Sequence, residues 1–366
     1  MKSLVKVLLV AFFGAFTFSV YGLSPALGAG LAFAGSIFVP KLSGTLNAGI
    51  DLTEINAQLG AYMRKHENKI WSGAFRDITL EKFMTPIMGV KSQYVSRDAK
   101  MGKVLQPHQK QWTPKGEIAL GAKINAVQHI KADIVIDNLD ELFDSHAAEL
   151  ADESVERDKM PFIPWLVNEN ILPQIKEEMA YNSYNGVYLA PTAGTAGASE
   201  DSVDGLATII AADITATNLT PFTTGVISAS NIIDLVDDYV DYIDSTPYGK
   251  FVKTILLADE LVRMYKRAYK LEFGTSLDYK GMGSFEGMNV APIDGSQKKL
   301  VGVEDMNGSQ RMIATWDGNL IKMFNKVNTP EKMFTDLDKR DVILYTDFFR
   351  GYGYKHYRGM FVNDQV

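Results

Sequence analysis

Apolar and polar positions change rhythm several times along this chain, and each rhythm predicts an element. Ile130, Ala132, Ile134 and Ile136 alternate with Lys131, Asp133, Val135 and Asp137. A period of two marks a strand with one buried face and one polar face. Just upstream, Thr113-Pro114 and Lys115-Gly116 punctuate a turn, so the residues ahead of that strand suit a long hairpin or its connection.

Helical spacing governs other stretches. Residues 52–72, LTEINAQLGAYMRKHENKIWS, are loosely helical and lead into the mixed segment FRDITLEKFM, which together read as an extended, partly helical arm. In PWLVNENILPQIKEEMAYNSYNGVY, Leu172, Ile175 and Met179 fall on one stripe and predict a long helix begun or broken near Pro173. Between residues 228 and 244, Ile232, Ile233, Val236, Val240 and Ile243 form an apolar stripe, with Asp234, Asp237, Asp238, Asp241 and Asp244 largely elsewhere and Asn231 able to cap the start. Residues 251–274 read as a short apolar strand followed by a helix that buries Leu261, Met264, Tyr265, Ala268 and Leu271. Such a β-α unit favours an α/β or α+β domain. FEGMNVAPIDG predicts a short strand between turns, and MIATWDGNLIKMF, with Asp317-Gly318 at its centre, predicts a tight hairpin. The small-residue stretch LAPTAGTAGASEDS, 189–202, is a loop and a boundary.

The C-terminal stretch DVILYTDFFRGYGYKHYRGMF, 341–361, sets seven aromatic rings among Arg350, Lys355, His356 and Arg358. Rings interleaved with cations are one way to hold single-stranded nucleic acid. However, Val342 and Leu344 alternate with Ile343 and Tyr345 as in a strand, and strand aromatics pack across a sheet. On that reading Arg350, Lys355 and Arg358 point to solvent, to acidic neighbours or toward DNA, while Gly351 and Gly353 permit a bend where another backbone comes close.

At the other end the chain is uncharged from Val7 to Pro40. Lys2 and Lys6 precede an apolar run, the order of a secretory signal, and a second apolar run follows Ser24-Pro25. A signal, a membrane hairpin and an arm buried in an assembly all fit residues 1–40.

Composition narrows the chemistry. The 366 residues carry a formal charge of -7 and no cysteine, which excludes disulfides, thiolate catalysis and cysteine-held metal centres. A dedicated nucleic-acid binder carries a basic field, and this chain is acidic. The histidines at 66, 108, 129, 146 and 356 have no metal-ligand spacing. The acids between Asp140 and Asp158 read as a solvated helix face rather than a paired catalytic site. Asp259 and Glu260 sit where a strand-end catalytic acid could sit, yet they equally suit the first turn of a helix. No nucleophile elbow, phosphate loop or dinucleotide fingerprint is present. No catalytic, cofactor-binding or metal-binding residues are therefore assigned, and no cofactor is expected.

The order of four passages carries a resemblance. WTPKGEIALGAKINAVQHIKADIVID resembles the E-loop region of HK97-fold major capsid proteins of tailed bacteriophages, particularly those of Bacteroidetes-type hosts. IPWLVNENILPQIKEEMAYNSYNGVY resembles the family's spine helix, VDGLATII with the next two helices its axial domain, and FGTSLDYKGMGSFEGMNVAPIDG onward its return strands and closing segment. The resemblance spans roughly residues 45–366 and rests on order and texture, since the family has no catalytic-style motif. The apolar N-terminus departs from it.

That resemblance implies an α+β chain of HK97-like fold. Its blocks would be the apolar segment 1–40, an N-terminal arm 41–90, an E-loop-like hairpin 91–130, a peripheral domain with the spine helix 131–195, an axial domain 196–340 and closing strands 341–366. It implies a non-enzymatic shell subunit, assembled through pentamers and hexamers around double-stranded DNA and residing in the virion after assembly in the host cytoplasm. The implied partners are further copies, a scaffold, a portal and a prohead protease, with weak non-specific DNA contact and membrane contact through residues 1–40. An exported or membrane-anchored hydrolase or surface protein is the alternative that the N-terminus keeps open.

Overall fold

The computed structural model describes residues 53, 56–63, 65, 78–136, 162–277, 287–325, 333–338 and 341–365. These fall within one compact unit, Leu52–Val366. The apolar segment 1–40 and the acidic run 138–158 lie outside the described residues.

The chain is α+β, with two mixed sheets and a separate ribbon. The first sheet runs in the order β1 (Thr85–Ile87), β9 (Leu320–Met323), β11 (Asp341–Tyr354), β10 (Met333–Asp338), with β4 (Gln128–Ile136) also paired to β11. β11 changes partner along its length: Val342 to Arg350 lie antiparallel to β4, and Gly351 to Tyr354 lie antiparallel to β9. The second sheet has the order β12 (Met360–Val362), β8 (Ile313–Trp316), β5 (Val252–Ala258), β7 (Lys299–Val303), β6 (Val290–Pro292). Among the described residues β2 (Gln93–Met101) and β3 (Ile118–Ala126) pair only with each other.

The alternation read at residues 130–137 is borne out in β4, where Ile130 and Ile136 are buried while Lys131, Asp133 and Val135 are exposed. The predicted long helix, α1, is continuous from Phe162 to Asn185, about 36 Å at 1.5 Å per residue. Its middle, Leu166–Ile171, widens into a π turn just before Pro173. Proline has no N–H to give and its ring crowds the preceding turn, so a widened turn there lets the helix continue rather than break. Leu172, Ile175 and Met179 are buried as the stripe predicts.

α2 (Leu206–Thr215) and α3 (Ile232–Ser245) follow, then β5 leads directly into α4 (Asp259–Phe273). β5 and β7 are parallel, so α4 serves as a crossover helix and packs on β5, β7 and β6. α3 buries Ile232, Ile233, Val236, Val240 and Ile243 and exposes its aspartates. Asn231 does not cap α3 from its side chain as predicted. Its amide instead accepts from the Ser228 N–H at 2.7 Å and donates to the Val226 carbonyl at 3.0 Å, bracing the turn ahead of the helix.

Two further expectations fail. Leu271 is 87% exposed and Met264 half-buried, because α4 presents Val262 and Tyr269 to the core instead. MIATWDGNLIKMF does turn at Gly318, whose φ is 84°, but it is not a hairpin. β8 joins the second sheet and β9 the first, so this turn is where the chain passes between sheets. Buried Asn319 holds the crossing: its amide donates to Thr315 Oγ1 at 2.9 Å and accepts from the His356 N–H at 2.8 Å, tying the turn to the closing segment.

Candidate functional site

β2 and β3 form a ribbon that is exposed over most of its length. From Met101 to Ala122 every residue whose burial is described is exposed, apart from half-buried Thr113. Nevertheless this stretch carries large apolar side chains: Leu105 is 89% exposed, Trp112 84% and Leu120 80%. Met101, Val104 and Ile118 add to them, as does Ile124 nearer the base. An isolated two-stranded ribbon is at best marginally stable in water, and a monomer gains nothing by wetting such surface.

The base of the ribbon, by contrast, is bolted down. Lys123 of β3 is buried and donates to the carboxylate of Asp213 from α2. The hydroxyl of Tyr354, in β11, donates to the same carboxylate, and the Lys123 ammonium lies 4.3 Å from the Tyr354 ring centroid. Burial pulls the Lys123 pKa below its ordinary value, against the opposing pull of Asp213. Burial and the nearby Asp213 push Tyr357 up to about 12. Asn125 donates to the Tyr354 carbonyl at 3.0 Å. Arg358 Nη2 reaches Asp98 of β2 at 2.9 Å, and its Nη1 donates to the Tyr248 hydroxyl at 3.1 Å.

The glycines of β11 make this docking possible. A Cβ on Gly351 would collide with the Ala126 carbonyl oxygen, and one on Gly353 with the Asn125 side chain. The close backbone approach expected here is therefore present at Gly351, whereas Gly353 makes room for the Asn125 side chain.

A second cluster lies beneath β11. Buried Glu81, in the short 3-10 turn Leu80–Phe83, accepts from Lys322 Nζ at 2.9 Å and from the Tyr352 hydroxyl at 2.9 Å. Arg350 Nε lies 3.8 Å from the same carboxylate, and the guanidinium lies 4.3 Å from the Phe324 ring centroid. Burial alone would raise the Glu81 pKa, but Arg350 and Lys322 outweigh it and hold the carboxyl below its ordinary value. Arg350 is thus only 2% exposed and meets an acidic neighbour, Glu81, one of the three destinations predicted for it, rather than solvent or DNA. The physical reason is register: Val342, Leu344, Thr346, Phe348 and Arg350 share the inward phase of the strand. That phase was readable in the sequence, whereas Glu81 as the receiving carboxylate was not.

The aromatic residues of 341–361 pack rather than wait for bases. Phe348, Tyr352, Tyr354 and Phe361 are buried, and Phe349 stacks on His129 at 4.3 Å between ring centroids. Arg358 meets an acidic neighbour, Asp98, which is one of the three destinations predicted for it, and Lys355 is half-buried. Asp259 and Glu260 open α4. Asp259 pairs with Arg263 at 3.0 Å and Glu260 accepts the Gly308 N–H at 2.9 Å, both structural roles. Among the described residues no three histidine, aspartate or glutamate side chains converge as metal ligands. Among the same residues no helix is long and apolar enough to cross a membrane.

No protein-family profile matches the chain, and no curated protein matches it. Solved structures similar to it include a chain of the satellite phage P4 procapsid with its size determination protein, 12% identical, with a TM-score of 0.49 over 92% of this chain and 96% of that one. The capsid of Myoviridae phage XM1 is also 12% identical, with a TM-score of 0.48 over 78% of this chain and 90% of that one. The capsid of a native GTA particle is 12% identical, with a TM-score of 0.46 over 92% and 97% of the two chains.

Proposed function

We propose that this chain is a major capsid protein of HK97-like fold, which self-assembles through pentamers and hexamers into an icosahedral shell around double-stranded DNA. The observation that carries the reading is the ribbon. It is rigidly held at its base by Lys123 and Asp213, and it presents Leu105, Trp112 and Leu120 to solvent. Apolar surface held out on a fixed ribbon is surface prepared for another copy, and a shell subunit buries most of its contact area only on assembly. The passages that resemble the family hold a two-stranded ribbon, a long helix, a β-α unit and a closing strand that pairs first with β4 and then with β9.

The division into arm, hairpin, peripheral domain, axial domain and closing strands belongs to this proposal, as do scaffold, portal and prohead protease as partners. So does the virion as the place where the protein resides, with residues 1–40 as a buried arm or a membrane contact. The acidic net charge suits an inner wall that does not grip the genome, and contact with DNA would be confined to phosphates without sequence readout. Catalysis has no part in the proposal.

Expression of the full chain and of residues 41–366, followed by sizing and negative-stain electron microscopy, tests it. Closed shells or capsomer rings are expected. Monomers alone, at all concentrations and salt conditions, in both proteins and with a matching scaffold supplied, would contradict it.

A further inference from the structure

Two adjacent helices carry opposite charge on their outer faces. α3, IIDLVDDYVDYIDS, has five aspartates and neither lysine nor arginine, and all five aspartates are exposed. Asp244 is tied to Lys298, whereas among the described residues Asp234, Asp237, Asp238 and Asp241 have no ion pair. Partial burial and then repulsion from Asp241, Asp234 and Asp238 raise the Asp237 pKa, a crowding that a cation brought to this face would relieve.

On α4, Arg263, Arg267 and Lys270 recur every three to four residues and are exposed, on the side away from buried Leu261 and Tyr265. Arg263 is engaged by Asp259, but among the described residues Arg267 and Lys270 have no ion pair. Exposed Leu271 beside them adds an apolar contact point. The two helices touch, yet no α3 aspartate is paired with an α4 cation within the chain. Among the described residues nothing compensates Asp234, Asp237, Asp238 and Asp241, nor Arg267 and Lys270.

Symmetry then selects the partner. In the capsomer rings of the capsid reading each contact is head-to-tail, so one face of a copy meets a different face of the next, a pairing that an acidic and a basic face on one chain satisfy. We propose that the acidic face of α3 in one copy docks on the basic face of α4 in the next, and that this contact closes the capsomer ring. The inference rests on the capsid reading and names the surface its rings use. Both faces are exposed, so the contact weakens as salt rises.

The test uses the full chain and charge reversal. Asp237→Lys with Asp241→Lys places two adjacent lysines at the centre of the α3 face, and Arg267→Glu with Lys270→Glu makes the α4 face acidic. Each variant alone is expected to remain monomeric under conditions where the wild-type chain forms rings. Mixed in equal amounts, the two variants must alternate around a ring, so native mass spectrometry should recover hexamers and no pentamers. All four substitutions on one chain should restore both ring sizes, which also shows that the variants fold. Rings from either variant alone would assign the charged faces to another partner and overturn the inference, and so would a mixture and a four-fold variant that stay monomeric. A wild-type chain that forms neither rings nor shells overturns the capsid reading itself.

Discussion

Arg358 Nη2 stands 2.9 Å from Asp98, and through this pair the closing segment of the chain holds the outermost fixed point of the ribbon. Both side chains are partly exposed, so Arg358→Ala should cost at most about 1 kcal/mol of global stability. Its effect should instead be local, as faster amide hydrogen exchange in β2 near Asp98 with the rest of the first sheet unchanged. Unaltered exchange across Gln93–Met101 would show that the pair does not restrain the ribbon.

The inner fixed point is stronger. Lys123→Met leaves the Asp213 carboxylate buried without its cation, a loss of about 3–5 kcal/mol in a urea melt. Replacing both partners, Lys123→Met with Asp213→Leu, should cost less than Lys123→Met alone, because no uncompensated charge remains. Additive losses in the double variant would count against a coupled pair.

Close approach at β11 predicts a graded glycine series. Gly353→Ala drives a methyl into Asn125 and should destabilise by about 1–3 kcal/mol. Gly197→Ala, in the open loop after α1 with nothing within 4 Å, should be close to neutral. Equal effects at the two positions would deny that β11 depends on its close contact with Asn125 at the ribbon base.

Acid should loosen the cluster under β11. The folded-state pKa of Glu81 is below the ordinary 4.5, so its stabilising effect is complete above that value and is lost as pH falls through the lower, folded value. Burial raises the pKa of nearby Asp305, which therefore titrates with the opposite sign. The informative quantity is the difference between wild type and Glu81→Gln. That difference should be constant from pH 7 down to about 5 and shrink below 4.5. A difference independent of pH across the acid range would contradict a charged Glu81.

Local rhythm made much of this fold legible. The stripe of α3, the β5-α4 unit and the alternation of β4 all follow from residues within one element, where burial imposes a period of 2 or 3.6. What stayed hidden depends on distant partners. Asp317-Gly318 marks a turn whatever lies on either side, and only the competing strands decide that β8 and β9 enter different sheets. Glu81 looked like part of a mixed, helical arm, and nothing near it in sequence announces Arg350, Lys322 and Tyr352 as its partners. The ribbon was readable as a hairpin from its turn residues, whereas the bolts at its base join β3 to α2 and β11 across long stretches of chain.

On the capsid reading the ribbon's exposed apolar residues exist for assembly. Leu105→Ser, Trp112→Ser and Leu120→Ser on one full-length chain remove that surface without touching the bolted base. Because the sites are exposed, each change should shift monomer stability by no more than about 0.5 kcal/mol. Mass photometry with electron microscopy of this variant beside wild type is the most direct measurement. Wild type should give rings or shells and the variant monomers of unchanged melting temperature, whereas shells of normal size and yield from the variant would show that assembly does not use the ribbon's apolar surface.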